Sequence, residues 1–251
     1  ASGSAALQPR LAQIFNAAGI PVMEGYGLTE SSPVISVNDA ATSGARVGTV
    51  GKPLDNVEVK IAEDGEILAK GPNIMMGYYN NPEATAEMLK NGWLHTGDIG
   101  EIDGDGYLRI TDRKKEIFKT SGGKYIAPQP MENKYKESRF IEQVMVIGEN
   151  EKHPAALIML DEAFVSEWCK RKGLAASNLK AMANDKTICE RVWQEVEELN
   201  GDFGNYERVK KIEICEEPWT IDGGELTPTM KLKRKFILKK YNSLVERIYR
   251  S

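Results

Sequence analysis

From Gly48 to Ile110 the residue order reads as short strands separated by turns. Val57, Val59 and Ile61 alternate with charged neighbours, which puts the apolar side chains on one face of a pleated strand. Asp64-Gly65 then supplies a tight hairpin turn, and Ile67-Leu68-Ala69 runs back. Asp103-Gly104-Asp105-Gly106 makes a second turn, between Ile102 and Tyr107-Leu108-Arg109-Ile110. Its aspartates suggest calcium, but the acidic residue at the twelfth position and the other ligand positions of an EF-hand loop are absent, so a plain turn is expected. Upstream, Leu7, Leu11, Ile14 and Phe15 recur at helical spacing and Gly19 follows as a stop. Pro21-Val22-Met23 reads as a short buried strand leading into a loop at Gly25-Tyr26-Gly27, where α/β proteins place ligand contacts.

Past Arg113 the pattern becomes mixed. Strands are expected at Ile117-Phe118 and Tyr125-Ile126, around a Ser121-Gly122-Gly123 turn. Others are expected at 144–147, 155–160 and 209–215. A helix opens at Pro130, residues 161–200 are mostly helical, and one amphipathic helix spans 231–249. Charge changes sign at the same place. Residues 1–112 hold 7 Lys+Arg against 15 Asp+Glu, net −8, and residues 113–251 hold 26 against 22, net +4. Two domains of opposite electrostatic character follow, 1–112 and 113–251, able to close around an anionic ligand. The fold class is α+β.

Several function classes drop out. No run approaches the ~18 apolar residues of a membrane span. Ala1-Ser2-Gly3-Ser4 has neither the basic nor the apolar region of a signal peptide. Cys169, Cys189 and Cys215 lie far apart, and the only histidines are His95 and His153, a poor zinc set. Reduced thiols in a cytoplasmic protein are expected. Nucleic acid is not expected as a partner, because +4 is small and no aromatic-interleaved basic patch occurs. Ser121-Gly122-Gly123-Lys124-Tyr125 is not a Walker A loop, which needs four residues between its glycines and Ser or Thr after the lysine.

Four segments carry chemistry together: Gly25-Tyr26-Gly27-Leu28-Thr29-Glu30, Trp93-Leu94-His95-Thr96-Gly97-Asp98, Asp112-Arg113-Lys114-Lys115, and Thr227-Pro228-Thr229-Met230-Lys231. An aromatic ring, a hydroxyl with a carboxylate, a second carboxylate, an arginine and a late lysine are the groups that would hold a magnesium nucleotide beside a reacting carboxylate. With Gly65 to Pro72, Met76-Gly77-Tyr78-Tyr79 and Leu226 to Arg234, these segments make the chain resemble the adenylate-forming superfamily. That superfamily includes acyl-CoA synthetases, adenylation domains of peptide synthetases and firefly luciferase, and the resemblance is nearest to bacterial long-chain fatty acyl-CoA ligases.

The resemblance implies roles residue by residue. Tyr26 would stack on adenine, with Gly27 beside it, although a packed core tyrosine is the competing reading. Thr29 would donate to the α-phosphate and Glu30 would bind Mg2+. Gly3, Ser4 and Ala5 match a small-residue turn beside the adenine, or else a helix N-cap. Asp98 would accept both ribose hydroxyls and Arg113 would reach the same ribose. Lys115 falls at the hinge about which a mobile C-terminal domain reorients. Lys119, Gly122 and Gly123 match the loop that faces the nucleotide during thioester formation. Lys231 would be catalytic, offsetting repulsion between carboxylate and ATP, with Lys233 as runner-up. Many relatives have Gly where Met230 stands. His95 is expected to be a packed histidine rather than a base.

The implied fold is the end of a large adenylating domain, with a small β-barrel-like subdomain at about 45–112, followed by the mobile α+β domain. The implied activity uses ATP, Mg2+ and coenzyme A to convert a fatty acid, or another carboxylate, to its CoA thioester through an acyl-adenylate. The family's upstream phosphate-wrapping lysine loop is not in this sequence. The chain therefore reads as the C-terminal part of a longer enzyme, and by itself as an inert fragment with at most weak nucleotide binding. Peripheral membrane contact suits greasy substrates, but no amphipathic anchor stands out. Acyl chain length and oligomeric state are not encoded in these segments.

Overall fold

A computed structural model describes residues 1–3, 7–41 and 44–250. The chain divides into two units, Ala1–Lys115 and Glu116–Ser251. The division lies three residues beyond the sequence-based boundary, because the strand that carries Arg113 pairs within the first unit.

The first unit opens with helix α1, Pro9–Ala17, which has proline in its first turn, and ends in Gly19 at φ +76°. Only Ala12 of α1 is buried, while Leu11, Ile14 and Phe15 remain exposed. Residues 21–23 form no strand. Instead the edge of Ser2 bridges Glu24, and Gly25 N–H donates to Ser2 C=O at 2.9 Å. Strands β1 (Gly25–Tyr26), β2 (Ser36–Val37) and β3 (Lys52–Pro53) make a small antiparallel sheet.

Strands β4 (Glu58–Ile61) and β5 (Glu66–Lys70) form the Asp64-Gly65 hairpin in register Ile61↔Ile67. Helix α2 (Pro82–Met88) is capped by Asn81 and leads to β6 (Leu89–Lys90), β7 (Trp93–Ile102) and β8 (Leu108–Arg113). The five strands β4 to β8 make one sheet in which β7 pairs β5, β6 and β8, and no closed barrel forms among the described residues. Tyr26, Ile35, Val57, Ile67, Ala69 and Leu108 form this unit's core. In the β7–β8 turn, Asp103 accepts the N–H groups of Asp105 and Tyr107 and pairs with Arg46, so its carboxylate is used by protein groups.

In the second unit β9 (Phe118–Lys119) and β10 (Tyr125–Ile126) flank the glycine turn. Helix α3 runs Pro128–Tyr135, two residues earlier than expected, because Pro128 rather than Pro130 takes the first position. A three-stranded sheet follows in the order β11 (Ile141–Ile147), β12 (Ala155–Leu160), β13 (Ile212–Ile214), antiparallel then parallel. Every residue of β12 is buried. Ala156, Ile158 and Leu160 join the core under α3, α4 (Glu162–Lys172), α5 (Leu179–Ala183) and α6 (Lys186–Leu199). Ala155, Leu157 and Met159 join the opposite core, under α7 (Arg234–Lys240) and α8 (Asn242–Arg250). The single helix expected over 231–249 is thus two helices broken at Tyr241. The break lets Ile237 and Tyr241 reach the same core as Leu244 and Ile248. Cys169, Cys189 and Cys215 are free thiols.

Candidate nucleotide site

Tyr26 and Asp98 stand 72 residues apart in sequence, yet the Tyr26 O–H donates to Asp98 Oδ2 at 2.6 Å. Two short strands deliver them. Tyr26 ends β1, and Asp98 follows Gly97, which takes φ +73° within β7. Arg113 is opposite Asp98 in the β7–β8 ladder, with its Nε 3.3 Å from Asp98 Oδ1. Asp98 is 5% and Tyr26 8% exposed, while Arg113 is open to solvent. Burial, then the negative charge and hydrogen bond of Asp98, push the Tyr26 phenol well above its usual range. Its ring packs in the core, so only a small part of one edge or face is open to a base. Asp98 already meets the Tyr26 O–H and the Arg113 guanidinium, and a carboxylate can accept several donors.

Gly27 is required next to Tyr26, since a Cβ there would lie 1.9 Å from the Pro33 carbonyl oxygen. Gly3 runs alongside, its ideal Cβ 3.6 Å from Gly25 C=O. Ser4 and Ala5 lie outside the described residues. Thr29, Glu30 and Ser31 form a single 3₁₀ turn with Thr29 exposed. Glu30 Oε1 accepts the Tyr78 O–H at 2.7 Å, and Glu30 C=O accepts Met75 N–H at 2.8 Å. The hydrogen bond to Glu30 pushes the Tyr78 phenol up to about 12. Asn73 donates to the carbonyls of Ser31 and Val34. Segment 71–78 therefore holds the acidic turn in place. Sequence reasoning missed Tyr78 as a site residue, although it lies inside the quoted Met76-Gly77-Tyr78-Tyr79 motif.

His95 is no isolated base. Its Nδ1 lies 3.0 Å from Oε2 of the buried Glu66. Glu66 Oε1 accepts Gly97 N–H at 2.9 Å, and Lys114 Nζ donates to Glu66 Oε2 at 3.0 Å and to Asp64 Oδ2 at 2.6 Å. Burial raises the Glu66 carboxyl, but the hydrogen bonds from His95, Lys114 and Gly97 outweigh it and leave the group below its usual range. Lys115, the expected hinge, is exposed and ends the first unit.

In the second unit Lys119 is exposed, its ammonium 5.4 Å from the Tyr125 ring centre. The glycine turn closes through Gly123 N–H to Thr120 C=O at 2.9 Å. Lys231 leaves a turn in which Met230 N–H donates to Thr227 C=O at 2.8 Å and Lys231 N–H to Thr227 Oγ1 at 3.0 Å. Met230 sits at φ +60°, the conformation glycine adopts without cost. Arg234, three residues past Lys231, donates to the buried Glu132 at 2.6 Å and to Val146 C=O, which anchors this turn to α3 and β11. The runner-up Lys233 is exposed at the start of α7.

Residues 1–79 match the model of AMP-binding enzymes, and residues 115–251 match the model of the AMP-binding enzyme C-terminal domain. A long-chain-fatty-acid–CoA ligase of Mycobacterium tuberculosis is 37% identical over 99% of this chain and 41% of its own length. Human long-chain-fatty-acid–CoA ligase 1 is 36% identical over 93% of this chain and 35% of its own. The chain thus spans about two fifths of the length of the curated relatives it matches. Among solved structures, Bacillus subtilis o-succinylbenzoate coenzyme A synthetase in complex with ATP and magnesium ion matches with TM-score 0.69 and 25% identity, over 93% of this chain and 44% of that one. An anthranilate CoA ligase in complex with anthranoyl-AMP gives TM-score 0.70 at 23% identity, over 98% and 45%. With a family model covering more than half its residues, the chain belongs to the AMP-binding enzymes.

Proposed function

We propose that this chain is the nucleotide-handling C-terminal portion of an ATP-dependent acid–thiol ligase. The ligase joins a long-chain fatty acid to coenzyme A through an acyl-adenylate. The observation that carries the reading is the Tyr26–Asp98–Arg113 cluster, a phenol, a buried carboxylate and a guanidinium, in a chain of the AMP-binding family. Long-chain substrate is supported by the names of the most similar curated relatives.

In the first half-reaction the carboxylate oxygen attacks the α-phosphorus of ATP and pyrophosphate leaves. Asp98 accepts hydrogen bonds from the ribose and Arg113 adds a donor to it. Gly3 and Tyr26-Gly27 border the adenine, and Thr29 donates to the α-phosphate. Lys231 offsets the repulsion between the two anions as they approach. In the second half-reaction the coenzyme A thiolate attacks the acyl carbon and AMP leaves. Torsion at Lys115 exchanges the Lys231 turn for the Lys119 and Gly122-Gly123 face, where backbone without side chains admits the thin pantetheine arm.

Magnesium, when bound, screens the phosphate charge and orients the leaving group. Glu30 suits it: one carboxylate oxygen is steadied by Tyr78, and the ion commonly takes few protein ligands beside phosphate and water. Among the described residues no helix is long and apolar enough to cross a membrane, and the reading includes none.

ATP–pyrophosphate exchange dependent on fatty acid tests the reading in the full-length protein. Lys231→Ala should abolish exchange yet spare thioester formation from supplied acyl-adenylate, and equal loss of both steps would refute the alternation. Robust exchange by the 251 residues alone would eliminate the inert-fragment reading.

A further inference from the structure

Glu66 and His95 have no part in the chemistry just outlined, yet the fold gathers three segments around the Glu66 carboxylate. Asp64 and Glu66 come from the β4–β5 hairpin, His95 and Gly97 from β7, and Lys114 from the residue after β8. Glu66 is only 4% exposed, and both of its oxygens are engaged. Gly97 is held at both of the peptide groups that flank its Cα: its N–H, in the Thr96–Gly97 peptide, donates to Glu66, and its C=O, in the Gly97–Asp98 peptide, accepts Lys114 N–H at 2.9 Å. Gly97 immediately precedes Asp98, so rotation about the φ and ψ bonds of Gly97 is the motion that would re-aim the Asp98 carboxylate. A glycine in the left-handed region has the freedom to make that rotation unless something stops it. Lys114 is gripped three times, by Asp64, by Glu66 and through its backbone to Gly97.

Resting on the reading of Asp98 as a nucleotide ligand, we propose that Glu66 is a positioning residue. It holds the Gly97 N–H directly and, by pinning Lys114, the Gly97 C=O, so the Gly97 backbone that aims Asp98 is fixed together with the point where the chain leaves the first unit. The carboxylate rather than an amide is needed for the second task, because an ammonium and an imidazole meet on its Oε2. The clamp confines backbone rotation to Lys115 and the residues after it, and leaves the nucleotide carboxylate undisturbed when the linker turns.

The test uses the whole 251-residue chain, with amide hydrogen exchange and AMP titration as separate readouts. Glu66→Ala should speed exchange at the Gly97 and Lys114 amides about tenfold while leaving Val192, in the second unit, unchanged. The same variant should weaken AMP binding about tenfold. Glu66→Gln keeps an oxygen for Gly97 N–H but loses the charge that holds Lys114. It should recover AMP affinity to within about threefold while the Lys114 amide stays fast. Exchange at both amides within about twofold of the parent in Glu66→Ala overturns the clamp. AMP affinity lost equally in the Ala and Gln variants overturns the positioning role. Should Glu66→Ala fail to fold, Glu66→Gln decides through Lys114: fast exchange supports the clamp and parental exchange refutes it. Should the 251 residues alone bind no AMP, the same titration is read on the full-length protein, where absence of binding removes the nucleotide reading, and the exchange arm judges the clamp in either case.

Discussion

At the residue scale the site is built from a few carboxylates whose partners lie far off in sequence. The motifs shared with adenylate-forming enzymes singled out Asp98 and Glu30, and their chemistry agrees, since a carboxylate is a ready ligand for hydroxyls or cations. Their supports were not legible. Tyr78 reaches Glu30 across 48 residues and Glu66 reaches Gly97 across 31, and no local pattern encodes such a pairing. Replacing Asp98 with alanine removes charged hydrogen bonds worth about 1.5–3 kcal/mol each, so AMP should bind roughly 10- to 100-fold more weakly by calorimetric titration. Unchanged affinity would end its assignment to the ribose. The same change removes the acceptor of the buried Tyr26 O–H, at a cost of about 1–3 kcal/mol in stability. Met230 invites the opposite experiment. Its backbone is left-handed and its side chain exposed, so Met230→Gly should relieve strain and raise unfolding stability by up to about 1 kcal/mol in urea. A loss of stability would mean that the methionine side chain holds the turn.

Elements were readable where turn chemistry marks them. Asp64-Gly65 and Asp103-Gly104-Asp105-Gly106 give the two hairpins their boundaries, and prolines open α1, α2 and α3. Where tertiary packing decides, the pattern misled. Residues 231–249 carry one continuous amphipathic period, but the chain breaks at Tyr241 to bury both halves in one core. Pro21 to Met23 look apolar enough for a strand, yet pairing is limited to one bridge, in which Met23 C=O accepts Ser2 N–H and Ser2 stands beside Glu24. Between elements, the Glu66 clamp ties the β4–β5 hairpin to β7 and to the end of β8, and its pH dependence has a definite sign. Glu66 has a folded-state value below its ordinary 4.5, so the native state gives up this proton more readily than the unfolded chain. Its contribution to stability is whole above that ordinary value and fades as pH drops through the depressed one. Thermal midpoints followed from pH 7 into this acid range should fall more steeply for the parent than for Glu66→Gln. Parallel curves would show that the carboxylate adds nothing to the acid limb.

For the whole molecule, the change of charge sign near residue 112 and the division at Lys115 tell the same story of two units with separate cores. The second unit holds a sheet with helices on both faces and two apolar clusters of its own. Residues 116–251 expressed alone should therefore melt cooperatively, and a gradual loss of near-ultraviolet dichroism would refute that independence. Strand β12 is what makes this unit a single object. Its odd-numbered side chains point into one cluster and its even-numbered ones into the other. Inserting or deleting one amino acid inside 155–160 would send each later side chain to the wrong chamber, swapping alanines for bulkier neighbours on both sides at once. Evolution and mutagenesis alike should thus find frame-length changes tolerated in the neighbouring loops and forbidden within this six-residue wall.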